Sequence, residues 1–177
     1  MRAIATPRLC LEPQLASHAE AMFVVLSDPA IYTYENAPPA SLDWLRERYA
    51  KLETRRSADG SEQWLNWVLR LREGGLIGTV QATVEPTANA WIAYEVASAH
   101  WGRGLASEAV RAMIDELAAH YRVRRLRAMF KRANLRSLHL LERLHFKPAS
   151  ADDVARCDVP ADENLLQRPA AFEAPRQ

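Results

Sequence analysis

The residues His100–Ser107, HWGRGLAS, constrain this 177-residue chain more than any other stretch. They follow a run that alternates apolar and polar side chains, Trp91–Val96, and open a run, Leu105–Tyr121, whose apolar residues recur with helical period. A strand, a glycine-bearing turn and a helix start therefore succeed one another without a break. Gly102 and Gly104 let the backbone approach a ligand closely, and the first N–H groups of a helix have no partner inside it. With the positive end of the helix dipole behind them, those groups suit an anion, a phosphate above all. The alternative is a connecting turn that binds nothing.

Two nucleotide-binding patterns are excluded. A Walker loop needs Gly-Lys-Ser/Thr, and here Gly104 is followed by Leu-Ala-Ser. A dinucleotide fingerprint needs a third glycine where Ser107 stands, and it opens a βαβ unit instead of lying past mid-chain. What remains resembles the acyl-CoA signature of the GNAT superfamily of N-acyltransferases, Arg/Gln-x-x-Gly-x-Gly/Ala, here Trp101-x-x-Gly104-x-Ala106. The longer form, WGRGLASEA with Glu108, is similar to the branch that includes the ribosomal-protein N-terminal acetyltransferases. A second block agrees: after Arg125–Phe130 comes Asn134-x-x-Ser137 and then LHLLERLHF, Leu138–Phe146. This resembles that branch's Asn-x-x-Ser…Leu-Glu-Lys-Leu-Gly-Phe, and the resemblance extends from Pro7 to Ala149.

The resemblance implies an α/β fold: a central, mostly antiparallel mixed twisted sheet of about six to seven strands flanked by about four helices. The residue patterns fit it. Arg8–Glu12 alternates between Pro7 and Pro13 and reads as a strand near an edge. Ser17 with Glu20 has the spacing of a capping box for a helix reaching Leu26, ended by Asp28-Pro29. Ile31–Ala40 is too rich in proline for a regular helix, and Ser41 opens the next one with Leu42, Leu45, Tyr49 and Leu52 on one face. Gln63–Arg72 and Leu76–Glu85 form a hairpin around Glu73-Gly74-Gly75, with Leu65, Trp67, Leu69 and Leu71 sharing one face and Gly78, Val80, Ala82 and Val84 answering from the other strand. Asn134–Leu144 reads as a helix capped by Asn134. Phe146–Ala149 and Leu165–Gln167 read as strands, with a polar stretch, Ala151–Asp162, between them. The chain is expected to be a single domain over residues 1–168 with a frayed tail over 169–177.

Composition narrows the function classes. The chain is 49% hydrophobic and 25% charged with a net charge of +1, which gives no global reason to expect nucleic acid or membrane as a partner. No apolar run reaches the roughly 18 residues of a membrane span, and MRAIATPRL lacks the apolar core of a signal peptide, so a cytoplasmic protein is expected. Cys10 and Cys157 have no Cys or His at metal-ligand spacing, and no metal is expected.

Acyl transfer from a thioester to an amine needs an uncharged amine, stabilisation of the developing oxyanion and a proton for the departing thiolate. The resemblance implies acetyl-CoA as cosubstrate, held by the main chain around Val96, Ala97 and Ser98, by the turn Trp101, Gly102, Arg103, Gly104, Leu105, Ala106 and Ser107, and by Asn134, Ser137 and Arg143. It makes Ser137 the candidate proton donor to the sulfur, the alternative being a hydroxyl bonded to its own helix. Many relatives carry a tyrosine one turn later; Leu141 stands there, so a tyrosine acid is excluded unless another Tyr reaches in. Glu95, on the strand face shared with Trp91 and Ala93, is the candidate base; it could equally face solvent, Glu35 is the runner-up, and the amine could shed its proton to water. Tyr34, Glu35 and Asn36 are the candidate acceptor residues, on a loop that lines the acceptor pocket in the fold resembled. The basic run Arg122, Arg124, Arg125, Arg127, Lys131, Arg132 and Arg136 could reach the 3′-phosphate of CoA or simply be solvated. His145 stands where the resembled motif has Gly after a helix, a position of positive φ that His tolerates. The expected function is N-acetylation of a small-molecule amine or a protein N-terminus by a monomer or homodimer; the alternative is a CoA-binding module of the same fold with little turnover.

Overall fold

Hydrophobic alternation in the Gln63–Glu85 hairpin produces the centre of the sheet. The computed structural model describes residues 1–34 and 36–171. In chain order the elements are β1 (Ile4–Ala5), β2 (Leu9–Pro13), α1 (Ala19–Leu26), α2 (Leu42–Glu53), β3 (Gln63–Leu71), β4 (Leu76–Val84), β5 (Asn89–Val96), α3 (Leu105–His120), β6 (Arg125–Lys131), α4 (Leu135–Arg143), β7 (Lys147–Pro148), α5 (Ala151–Arg156) and β8 (Glu163–Pro169). The strands lie in the order β1-β2-β3-β4-β5-β6-β8-β7. Every pairing is antiparallel except that of β5 with β6. The expected mixed sheet is present, with one more strand than the patterns gave, the two-residue β1, and one more helix, α5.

The hairpin register sets Leu65 opposite Ala82, Trp67 opposite Val80 and Leu69 opposite Gly78, as the shared faces predict. This face packs against α3 through Ala109, Val110, Met113, Ile114 and Leu117, all buried. A second, smaller core lies on the other face, where Val68 meets Met22 and Leu26 of α1 and Leu45 and Tyr49 of α2. A sheet sandwiched in this way leaves its edges and strand ends for chemistry.

The helix starts differ in how they are capped. Ser41 Oγ accepts from Trp44 N–H at 3.1 Å, Asn134 Oδ1 from Ser137 N–H at 3.1 Å, and Ser150 Oγ from Asp153 N–H at 3.2 Å. The Ser17–Glu20 capping box does not form. A 3-10 turn, Ala16–His18, precedes α1, where His18 Nδ1 accepts from Leu15 N–H at 3.1 Å and the Glu53 carboxylate from Ala16 N–H at 2.8 Å. His145 has φ 65°, the left-handed conformation expected there.

Candidate active site

The parallel strands β5 and β6 stay paired only from Asn89, Ala90 and Trp91 to Arg125, Leu126 and Arg127, and then diverge. Ala97 N–H bonds to Ile77 C=O at 2.9 Å, so by antiparallel alternation the main-chain groups of Glu95 and Ala93 also serve β4. Those of Tyr94 and Val96 turn to the gap. Trp101 Nε1 donates to Val96 C=O at 2.7 Å, which leaves the Val96 N–H and the Tyr94 N–H and C=O facing open space. Ala97 and Ser98, expected beside Val96 to hold the cofactor, are placed differently. Their N–H groups are committed, the second to Asp28 Oδ2 at 2.7 Å, and neither residue lines the cavity of about 420 Å³ that fills the gap.

One end of that cavity is the glycine turn. Gly102 and Gly104 have φ of 73° and 74°, a backbone that L side chains rarely adopt, and Gly104 is the N-cap of α3 with no side chain capping it. The N–H groups of Leu105, Ala106 and Ser107 are thus left for a ligand, and all three residues line the cavity. Glu108 anchors this start from behind. Its carboxylate accepts from Thr6 Oγ1 at 2.6 Å, Arg8 N–H at 2.9 Å and Arg8 Nε at 2.6 Å, while Arg8 Nη1 donates to Arg103 C=O at 2.7 Å. Arg103 is not among the residues lining the cavity; its guanidinium lies 3.3 Å from Nδ1 of His100, which does line it. Trp101 lines the cavity, with the Arg136 guanidinium stacked 3.6 Å above its ring.

The opposite wall is α4, which brings Asn134, Ser137 and Arg143 to the cavity with Arg136 and His139. The Ser137 hydroxyl makes no hydrogen bond to its helix among the described residues, so the helix-bonded alternative does not hold. Across from it stands Tyr94, which alternation along β5 sets on the face opposite Glu95. Its hydroxyl is buried and has no hydrogen bond of good geometry among the described residues, although it lies near enough to Ser137 for the two to interact. Burial pushes this phenol up to about 12, and Ser137 pulls slightly the other way. A tyrosine therefore does reach in, from β5 instead of α4.

On the far face of the gap the cavity is lined by Thr79, Gln81, Ala93 and Glu95, with Ala30, Ile31, Tyr34 and Asn36 over them. Glu95 is half-buried and shares the face of Trp91 and Ala93, as the alternation predicts. Tyr32 and Tyr49 look toward it: burial first, and the Glu95 charge second, raise both phenols. Glu35 lies outside the described residues. Among the described residues no group of three or more His, Cys, Asp or Glu could hold a metal ion.

The basic run is divided among several places. Of this run Arg136 lines the cavity; Lys131 is held by Asp162 and Glu163 at 2.9 and 2.8 Å, and Arg127 lies over the Trp91 ring.

A gap between two parallel strands, a glycine turn at the start of a helix and a polar far face are the marks of an acyl-CoA transferase site. The acetyltransferase (GNAT) domain family matches residues 8–147, most of the chain, and the protein belongs to that family. Among curated proteins it is similar to an uncharacterised N-acetyltransferase, p20, of Bacillus licheniformis, 26% identical over 149 residues that cover 83% of each chain. Among solved structures it is similar to RimL, a ribosomal L7/L12 α-N-protein acetyltransferase in complex with coenzyme A, with a TM-score of 0.79 and 17% identity over 94% of this chain and 97% of that one. The ribosomal-protein-S5-alanine acetyltransferase of Vibrio fischeri matches at a TM-score of 0.78 and 17% identity, covering 98% of this chain and 99% of that one. At such identities the two structures share the fold. The family makes the chain an acetyl-CoA-dependent N-acetyltransferase.

Proposed function

We propose that the enzyme passes the acetyl group of acetyl-CoA directly to a primary amine, with no acetyl held covalently by the protein. The observation that carries this reading is the through-going gap, with a thioester wall on one face and a carboxylate, Glu95, on the other. Acetyl-CoA supplies the acetyl group in activated form. The uncapped N–H groups of Leu105, Ala106 and Ser107 suit its pyrophosphate, the remaining amide donors of Asn134 its pantetheine arm, and Arg136 and Arg143 its outer phosphate.

Each chemical demand then has a group. Glu95 takes the proton of the incoming ammonium, directly or through water, and returns it to solvent. The Val96 N–H, free and aimed into the gap, stabilises the negative charge that grows on the carbonyl oxygen as nitrogen attacks. Tyr94 gives its hydroxyl proton to the leaving sulfur and recovers, through Ser137, the second proton, which the nitrogen sheds as the tetrahedral intermediate collapses. The acceptor is a small amine or a protein N-terminus, and a donor drawn from the cytoplasmic thioester pool supports a cytoplasmic enzyme.

The test has two stages. Acetyl-CoA at about a hundred times its dissociation constant should stabilise the fold by roughly 2.7 kcal/mol, read as a thermal shift. Gly104→Val should remove the shift, because a β-branched side chain is strained at that φ and would stand at the phosphate position. Acetyl-CoA should then release thiol when an amine panel is added. Absence of a shift in the wild type would refute the donor site; a shift without thiol release from any amine would refute the catalytic reading.

A further inference from the structure

A second cavity, of about 240 Å³, lies under α2 on the same face of the sheet as Glu95, and Gln81 lines both. Its walls are Arg48, Lys51 and Leu52 of α2, and its floor is Trp64, Asn66, Gln81, Ala82 and Thr83 of β3 and β4. Two features mark it as a place for a ligand instead of a packing defect. Asn66 is only 7% exposed, and its side-chain amide has no hydrogen bond within the chain among the described residues, so a nearly buried polar group opens into the cavity unspent. The two cations above it are also unspent. Neither Arg48 nor Lys51 pairs with a carboxylate among the described residues; they rest over the rings of Trp44 and Trp64, at 5.5 and 5.9 Å. Glu62 accepts from the Trp64 indole N–H at 3.1 Å. No described carboxylate lines the cavity.

We infer that this cavity is an anion subsite of the acceptor, so that the amine substrate carries a carboxylate at a fixed distance from its nitrogen. The inference rests on the acetyl-transfer reading above. Strand register sets the distance. Glu95 pairs with Thr79, and Gln81 and Thr83 stand two and four residues further along β4. At about 3.3 Å per residue that is roughly 7 and 13 Å from the amine end. A free α-amino acid cannot span it, since both its groups sit on one carbon. An acidic residue in the second or third position of a peptide can, as can an ω-amino acid of several methylenes. The cations Arg48 and Lys51 and the amides of Asn66 and Gln81 would then hold the carboxylate while Glu95 receives the ammonium.

The experiment is a comparison of kcat/KM at saturating acetyl-CoA. The peptide arm uses the C-terminal amides of Ser-Asp-Ala-Ala, Ser-Asn-Ala-Ala and Ser-Lys-Ala-Ala; the small-molecule arm uses 6-aminohexanoate and hexylamine. The acidic member of an arm should be favoured by about tenfold, chiefly through KM, and the arm in which this happens identifies the source of the carboxylate. In Arg48→Ala/Lys51→Ala the ratio should collapse toward one, and in Lys51→Glu the peptide preference should move toward the lysine member. Both positions lie on the exposed side of α2, and a retained acetyl-CoA thermal shift certifies each variant's fold. Equal values for acidic and neutral acceptors, or a preference that survives both variants, would overturn the inference. So would an enzyme that acetylates other amines but none of these. A wild type that fails to bind acetyl-CoA would instead bring down the underlying reading.

Discussion

Two hydroxyls, Tyr94 and Ser137, line the cavity where the proposed reaction gives a thiolate its proton, and they are not equivalent donors. A phenol, even one pushed up to about 12 by burial, is a stronger acid than a serine hydroxyl. We therefore expect Tyr94→Phe to lower kcat by about a hundredfold, within the usual range for losing a general acid, with KM for acetyl-CoA little changed. Ser137→Ala should cost about tenfold, and the double variant no more than Tyr94→Phe alone, because the two act in one relay. Single-turnover rates with a good acceptor decide it; full activity in Tyr94→Phe would remove the phenol from the mechanism. Asn134, Ser137 and the glycine turn were legible because each belongs to a local pattern. Tyr94 was not, because alternation along one strand says only that it points inward with Ile92 and Val96. Whether inward means core or cavity depends on where β6 parts from β5, and no local pattern carries that.

The donor turn works as an element only because something outside it holds it still. Glu108 and Arg8 do this by tying the first turn of α3 to the connection between β1 and β2. Charge-assisted hydrogen bonds of this kind contribute about 1.5–3 kcal/mol when buried, less here because Arg8 is half exposed. Glu108→Ala should raise the acetyl-CoA dissociation constant by about tenfold while kcat at saturation stays within about twofold. A calorimetric titration showing wild-type affinity would mean the turn is rigid without the clamp. Gly78 does the same service for the gap. A Cβ there would meet the Glu95 carbonyl oxygen and come within 2.9 Å of Val96 Cα, both backbone, so Gly78→Ala must displace β5 at residues that line the cavity. The expected result is a lower melting temperature together with a weaker acetyl-CoA shift; either one unchanged would show that β4 absorbs the strain instead. Long elements were readable from periodicity to within a residue or two. The helix α5 was missed because its six residues give periodicity nothing to work on, and only the Ser150–Asp153 cap announces it.

For the molecule as a whole, the ionisable groups set where the fold is stable. Glu12, hydrogen-bonded to Arg70, Asp28, bonded to Ser98, and Asp153, bonded to Gln167, are held below their ordinary values. Such carboxylates add stability that is complete above their unfolded pKa and lost as the medium acidifies through the folded one, here below about pH 4. The tyrosines act at the other end. Burial raises Tyr32, Tyr49 and Tyr94, so their phenols ionise more readily in the unfolded chain. Their contribution is complete below about pH 10 and drains away as pH climbs toward the raised folded values. Urea midpoints should therefore be level from about pH 6 to 9 and fall above about pH 10. Tyr49 offers the sharpest check. It is 3% exposed, its hydroxyl has no hydrogen-bond partner among the described residues, and the residue packs in the second core between α2 and the sheet. An unpartnered buried hydroxyl is a cost to the fold, so Tyr49→Phe should be neutral or stabilising by about 1 kcal/mol at pH 7. Because it removes the strongly raised phenol, it should also make the decline above about pH 10 shallower than in the wild type. A loss of more than about 2 kcal/mol at pH 7 would mean that the hydroxyl is satisfied in solution, by water or by Glu95 on the same face of the sheet, and that the packing of α2 is coupled to that face of the site.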